Sequence, residues 1–417
     1  MIDLPGGGLS PMMVNESRRS RAHFDWQLML LVFSLAAFGV LSVSVATFSV
    51  TSQAEDTLLN YIVNSYYGFR QAIFFFVAFV VVLFIAYFPY EIIRRRAGLF
   101  YSLACSLMAF TLITNGAQGV KAWTDLIWGY TIQPSEFIKL ACIIAVAKSL
   151  ETDVQPLSTL QSWIRLGTLL GIPCGLSLAQ GEMGSMLVMV FIFGIMMFFG
   201  GARIRVLVSV VAVGIIGIAI LYGYMVATGS DSYRLERILS FVDPSLADAS
   251  ASYQQTNSKI AIGSGGLTGR GTFVQGAFSQ LDYVPEDWTD FIFASIGEAF
   301  GFVGAFMVIF VYLLIILRML YLSRYTVDRF GQLTIIGVMA MLLFHVFENV
   351  GMATGLMPIT GIPLPFLSYG GSNLVTNMAG IGLVMNIVKN RNLATMNGLA
   401  TNSPYAPQTG TMRKWAR

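Results

Sequence analysis

Residues 26–48 read WQLMLLVFSLAAFGVLSVSVATF. The run holds no ionisable side chain. At about 1.5 Å per helical residue it is long enough to cross about 30 Å of hydrocarbon. Its apolar character is continuous and does not alternate, which favours a helical bundle over a transmembrane barrel. Nine further segments of this kind lie near 71–90, 98–114, 134–149, 164–180, 183–200, 206–227, 291–318, 331–353 and 368–389. The 134–149 segment is the least apolar, because it follows Pro134 and carries Glu136 and Lys139. The expected fold is therefore all-α: a polytopic integral membrane protein with ten transmembrane helices.

Composition agrees. Of the 417 residues, 55% are hydrophobic and 11% are charged, against about 25% charged in soluble proteins. So few charges exclude a soluble enzyme and a disordered chain. A net charge of +3 leaves no basic face for nucleic acid. Cys105, Cys142 and Cys174 all sit in apolar runs, which argues against a disulfide scaffold, a CxxC redox pair and a thiolate zinc site. His23 and His345 are the only histidines, too few for a histidine-rich metal centre. Arg18, Arg19 and Arg21 precede the first apolar run, but no small-residue cleavage site follows it. The run reads as a retained helix and not as a signal peptide.

The basic residues orient the bundle. Arg18, Arg19, Arg21, Arg94, Arg95, Arg96, Lys148, Arg165, Arg203, Arg205, Arg318, Arg324, Arg329, Lys389, Arg391, Arg413, Lys414 and Arg417 fall on one side of a ten-span arrangement. Arg70, Lys121, Arg234, Arg237, Lys259 and Arg270 fall on the other. The richer side is the cytoplasmic one and holds both termini. Three parts result: a cytoplasmic segment 1–25, a membrane domain 26–391, and a flexible cytoplasmic tail 392–417. The long outer loop, 228–290, is rich in acids. Short helices are expected near 233–241 and 249–262, and the glycines from 263 to 276 suit tight turns or close backbone approach to a partner.

Ionisable groups inside spans demand a partner or water. Glu136 and Lys139 share a helical face; they suit a pyrophosphate held by Lys139 and tuned by Glu136, or a buried structural pair. Glu182, in the turn Gln180-Gly181-Glu182-Met183-Gly184, suits a sugar or a cation, or is an exposed turn acid. Glu298, His345 and Glu348 suggest a polar interior cluster that locks packing or carries protons or substrate. Pro285-Glu286-Asp287-Trp288-Thr289-Asp290-Phe291 gathers acids where the long loop re-enters the membrane. A carboxylate there suits deprotonation of a sugar hydroxyl or a divalent cation, and Asp290 equally suits a helix N-cap. Trp288 suits sugar stacking or anchoring at the headgroups. The segment from Pro358 to Phe366, followed by Ser368-Tyr369-Gly370-Gly371-Ser372, breaks helicity at membrane depth. Such backbone is tolerated only when buried in protein or lining a cavity. Its last amides suit an anion.

Five motifs occur in order: Gln133-Pro134-Ser135-Glu136 with Lys139; Ala261-Ile262-Gly263-Ser264-Gly265-Gly266; Pro285-Glu286 with Thr289-Asp290-Phe291-Ile292-Phe293-Ala294; Gly297-Glu298; and Gly361-Ile362-Pro363-Leu364-Pro365-Phe366 with Ser368-Tyr369-Gly370-Gly371-Ser372. From about residue 26 to 391 the chain closely resembles the SEDS family, the shape, elongation, division and sporulation proteins of bacterial walls. The resemblance implies ten transmembrane helices in the cytoplasmic membrane and a peptidoglycan glycosyltransferase that polymerises lipid II into β-1,4 glycan strands on the outer face. It implies Asp290 as the catalytic aspartate, a general base or a cation ligand. It carries substrate contacts to Trp123, Glu136, Lys139, Ser264, Glu286 and Ser368. Lys139 and, more weakly, Arg270 are candidates to oppose charge on the leaving pyrophosphate.

No organic cofactor is implied; a divalent cation, Mg2+ or Mn2+, is left open. The implied partner is a class B penicillin-binding protein, with other elongation or division proteins around it, and an elongation-type, RodA-like member is expected. Glu182 stands where the family usually has aspartate, in a looser turn. Ala122, Asn257, Val284 and Trp288 also depart from the usual residues, as in a divergent paralogue whose Asp290 segment is intact. Two other functions compete: a flippase for lipid II or a related polyprenyl lipid, served by Glu298, His345 and Glu348, and a scaffold without catalysis.

Overall fold

The computed structural model describes residues 24–48, 58–113, 122–125, 131–153, 155–210, 212, 216, 249–274, 276–278, 281, 283–285 and 287–396. Most of the expected seventh span (206–227), the helix expected near 233–241, Glu286 and the tail beyond 396 lie outside the described residues.

The helices are α1 (Trp26–Ala46), α2 (Leu58–Asn64), α3 (Tyr66–Tyr87), α4 (Tyr90–Arg95), α5 (Ala97–Ile113), α6 (Pro134–Thr152), α7 (Leu160–Gln180), α8 (Met183–Phe199), α9 (Ala249–Ser264), α10 (Ile292–Arg324), α11 (Arg329–Thr354) and α12 (Gly371–Met396). Six of them, α1, α3, α7, α10, α11 and α12, are long and apolar enough to cross a membrane; α5 and α8 are shorter and apolar. The molecule is thus an all-α, multi-spanning membrane protein. One departure is small: Thr124–Asp125 (β1) and Thr131–Ile132 (β2) pair antiparallel, with Thr124 opposite Ile132.

Local sequence sets the helix ends. Asp25 accepts from the Leu28 amide at 2.9 Å, Ser65 from Gly68 at 3.0 Å and Asp328 from Gly331 at 3.0 Å, each satisfying an orphan donor of a first turn. Pro134 opens α6, where a missing N–H does no harm. α11 is the central helix, with α6, α8, α10 and α12 packed around it.

The arginine-rich end is held by ion pairs. Asp25 joins Arg318 at 2.7 Å, linking α1 to α10. Arg94 and Lys148 both reach Glu151, and Arg165 reaches Asp153. Arg329 donates to the carbonyls of Asp153 and Gly200.

Two irregular segments enter the bundle. The first follows α9. α10 is broken at Gly301 (φ 66°, ψ −166°), about 14 Å along from its start. An intact helix would bond Phe302 N to Glu298 O and Val303 N to Ala299 O. Here Phe302 N donates to Gly266 O at 2.9 Å and Val303 N to Leu267 O at 3.1 Å. The freed Glu298 and Ala299 carbonyls accept from Arg270 N at 2.9 Å and Gly271 N at 3.1 Å. The loop is spliced into the helix, and these four polar groups opened by the break are paired with it, as a bilayer interior requires. So close an approach needs glycine: a Cβ on Gly269 would overlap the Ala299 carbonyl. The 249–262 expectation is met by α9, which packs on α10 and α11 and so is no free outer loop. Ser258 Oγ donates to Ala353 O, and Gln255 to Met357 O.

The second segment is 358–370. It is non-helical, so the last span begins at Gly371 and not at 368 as expected. Side chains from neighbouring helices hold it. Tyr312 donates to Pro365 O. Gln71 donates to Ser368 O at 3.1 Å and accepts from Gly370 N at 3.4 Å. Asn349 donates to Ile362 O at 2.8 Å. Ser368 Oγ accepts from Leu364 N at 2.7 Å.

Candidate active site

At the end opposite the arginines, the turn 287–291, the 358–370 segment and the first turns of α3, α6, α8 and α12 come together. Asp290 is half-buried in that turn. Its backbone carbonyl accepts from Asn349 Nδ2 at 2.7 Å. Its carboxylate rests on Gly361 (φ 70°), where an added Cβ would stand 3.3 Å from Oδ2. The N-cap of α10 is Phe291, with no side-chain cap, so the capping alternative for Asp290 is not the one the helix uses. Asp287, buried beside it, accepts from Ser295 Oγ at 3.0 Å.

Trp288 lies under Tyr67, with ring centroids 5.5 Å apart and planes 24° apart, and its carbonyl accepts from Tyr369 N at 2.9 Å. Tyr369 meets Tyr67 edge-on at 5.1 Å. Arg70 stands over the Tyr66 ring at 4.7 Å. Ser368 is buried and spends its hydroxyl on Leu364 N. Glu348 accepts from Thr360 Oγ1 at 2.9 Å, beside Gly361. The Gly370 amide, expected to be open to an anion, is taken by Gln71.

A second group lies on the other flank of the same segment. Gly184 packs against Thr360 and Ile362. Next to it Glu182 accepts from Gln133 Nε2. Burial pushes the Glu182 carboxyl above the usual carboxylate range, with the Gln133 hydrogen bond acting the other way. It is therefore not an exposed turn acid. Gln133 N donates to Ser372 Oγ at 3.2 Å. Below it Lys139 donates to Glu136 at 2.7 Å, and Asn373 donates to the other Glu136 oxygen at 3.2 Å. His345 joins this pair, with Nε2 3.1 Å from Lys139 Nζ and Nδ1 2.6 Å from Met341 O. An ammonium needs an acceptor and a carbonyl needs a donor. His345 is thus the neutral Nδ1–H tautomer.

The expected polar cluster of Glu298, His345 and Glu348 does not form as one group. His345 meets Lys139, Glu348 meets Thr360, and Glu298 sits at the splice, where it accepts from Phe278 N at 2.7 Å and Arg270 Nη1 at 3.5 Å. Ser264, at the end of α9, donates to Ala261 O. Trp123 is half-buried just ahead of β1. Sequence reading passed over Asn349, Asn373, Gln71, Tyr312 and Arg70. The signal for the first four was a polar group inside an apolar helix or at its mouth. Among the described residues, no three His, Cys, Asp or Glu side chains gather as a metal cage.

The model of the FtsW, RodA and SpoVE family, described as "Cell cycle protein", matches residues 26–393. The peptidoglycan glycosyltransferase MrdB of Escherichia coli (strain K12) is 35% identical over 319 residues, 75% of this chain and 83% of that protein. The probable peptidoglycan glycosyltransferase FtsW of Trichlorobacter lovleyi is 31% identical over 381 residues, 90% of this chain and 96% of that one. A solved structure described as "Structural coordination of polymerization and crosslinking by a peptidoglycan synthase complex" superposes with a TM-score of 0.69 at 25% identity. The match covers 88% of this chain and 98% of that one.

Proposed function

Because the chain belongs to the cell cycle protein family of FtsW, RodA and SpoVE, we propose that the Asp290 end is where it polymerises lipid II, with the Asp290 carboxylate as general base. The chain is a peptidoglycan glycosyltransferase of the SEDS group and acts in cell-wall synthesis. In the proposed step the GlcNAc 4-hydroxyl of one lipid II gives its proton to Asp290 as its oxygen bonds to the anomeric carbon of the other. The bond from that carbon to the pyrophosphate oxygen breaks, and polyprenyl pyrophosphate leaves. A β-1,4 linkage results.

One observation carries the assignment. Asp290 is the family-motif acid held half-open at the mouth, its backbone bound by Asn349 and its carboxylate against Gly361. Trp288 and Tyr67 offer aromatic faces beside it for a sugar ring. Arg270, 39% exposed, is the more accessible cation for the leaving group; Lys139 is 2% exposed and would first exchange Glu136 and His345. Glu136, Glu182 and Ser368 then act chiefly by holding the mouth together. Glu286, Ser264 and Trp123 stand as substrate contacts on the family motifs alone. Mg2+ or Mn2+ would fit only as an ion that takes most of its ligands from water and substrate phosphates, with Asp290 as the protein carboxylate. It would supply charge stabilisation there.

The topology proposed is ten crossings with both termini inside and Asp290 facing out. It adds α5, α6, α8 and the 206–227 segment to the six long apolar helices. α6, at 19 residues, spans about 28 Å, and pairing inside the bundle compensates its buried Glu136 and Lys139. The richness of one end in arginine supports the orientation. We place the chain in the elongation branch, in line with its fold's likeness to a rod shape determining protein, RodA of Thermus thermophilus. A class B penicillin-binding protein is the proposed partner, in line with the synthase complex that the fold matches.

A second reading, transport of a polyprenyl lipid, is favoured by one observation: the hydrogen-bonded polar chain from Glu182 through Gln133 to Ser372, with Asn373, Glu136, Lys139 and His345 below. Proteoliposomes holding the full chain, its penicillin-binding partner and lipid II distinguish the two. Long glycan strands are expected. Lipid II crossing the bilayer without polymer would reject the polymerase reading in favour of transport.

A further inference from the structure

We propose that Asn349 is a positioning residue for polymerisation and acts through Asp290. The inference rests on the assignment of Asp290 as the base. Asn349 is fully buried on α11, the central helix of the bundle. Its amide nitrogen donates to Asp290 O at 2.7 Å and to Ile362 O at 2.8 Å. Both partners are carbonyl oxygens, so the amide must present its NH2 group, and its orientation is fixed by chemistry. One side chain therefore joins the turn that carries Asp290 to the segment on which the Asp290 carboxylate rests.

The same turn is also tied by Tyr369 N to Trp288 O and by Ser295 Oγ to Asp287. The Asn349 bond is made at the backbone of residue 290 itself. On the facing strand of chain, Glu348 holds Thr360 one residue before Gly361, and Asn349 holds Ile362 one residue after it. Adjacent residues of one rigid helix thus grip both sides of the glycine that backs the carboxylate. The separation between carboxylate and glycine is set from α11. Serine at 349 would keep one donor of the two, and alanine none.

Full-length Asn349→Ala and Asn349→Ser proteins, reconstituted with the penicillin-binding partner, are assayed with lipid II beside wild type and Asp290→Ala. Melting temperature and membrane abundance are measured on the same samples. Displacing a catalytic group by about 1 Å lowers turnover about 100-fold. That loss is expected in kcat for Asn349→Ala, with KM within about two-fold of wild type and a smaller kcat loss for Asn349→Ser. Wild-type kcat in a folded variant would overturn the proposal, as would a loss carried by KM alone. Failure of both variants to accumulate would also overturn it, assigning Asn349 to folding. Wild-type kcat in Asp290→Ala would instead remove the base assignment. An inactive Asp290→Ala with fully active Asn349 variants would remove only the positioning role.

Discussion

The glycine loop at 265–271 and the proline segment at 358–370 face the same problem and solve it differently. Each places non-helical backbone inside a bundle of apolar helices, where an unpaired amide or carbonyl is expensive. The glycine loop is satisfied by backbone alone, through four bonds exchanged with the broken helix α10. The proline segment leans on side chains, Asn349, Tyr312, Gln71 and its own Ser368, beside backbone bonds from Leu367 N and Ser368 N to Leu364 O and from Tyr369 N to Trp288 O. The first solution is indifferent to which side chains surround it but cannot tolerate a Cβ at Gly265 or Gly269. The second has room for side chains but depends on four particular ones. It also adjoins Asp290, so adjusting one partner there adjusts the site.

Substitutions can break this contrast. Gly269→Ala should be the most damaging to stability, because its Cβ meets the Ala299 carbonyl at a φ of +85°. About 3 kcal/mol or more is expected, read as loss of membrane abundance and of melting temperature. A mild phenotype would mean that the splice can open.

Gln71→Ala comes next. It leaves Ser368 O and Gly370 N without their buried partner, for about 2–3 kcal/mol at one unsatisfied group or more. Activity should fall further than stability, since the segment backs Asp290. Equal losses in both would separate the segment from the site.

Tyr312→Phe removes one hydroxyl from Pro365 O and keeps the ring. About 1–2 kcal/mol is expected from thermal unfolding. Gly266→Ala should be the mildest. Nothing lies within 4 Å of its Cβ position, and only a φ of +55° opposes the change, for about 1 kcal/mol. If Gly266→Ala proved as harmful as Gly269→Ala, backbone conformation and not close approach would explain the glycines.

The helices were legible because continuous apolar runs of sufficient length have few alternatives in a bilayer, and six of them are long and apolar enough to cross it. Of the nine expected spans that fall wholly or largely among described residues, each meets a helix, with ends moved by a few residues. The Glu136–Lys139 pair was legible too, because residues three apart share a face. The third member was not. His345 and Glu348 also lie three apart, yet one faces α6 and the other Thr360. Helical spacing tells which residues share a face and not which neighbour that face meets. The splice left only glycines in the sequence, because bonds between backbones carry no side-chain signature. Gln71, Tyr312 and Asn349 each read only as a polar group in or beside an apolar run. Their role appears only when the carbonyls of a segment far along the chain are placed beside them.

The central claim is that the Asp290 carboxylate takes the proton of the attacking hydroxyl. The most direct measurement compares glycan strand formation from lipid II by wild-type and Asp290→Asn proteins at equal abundance and equal melting temperature, each with its penicillin-binding partner. Asparagine keeps the shape and cannot accept that proton, so turnover should fall by about 10²–10⁴-fold. Strands made by Asp290→Asn at the wild-type rate would contradict the claim.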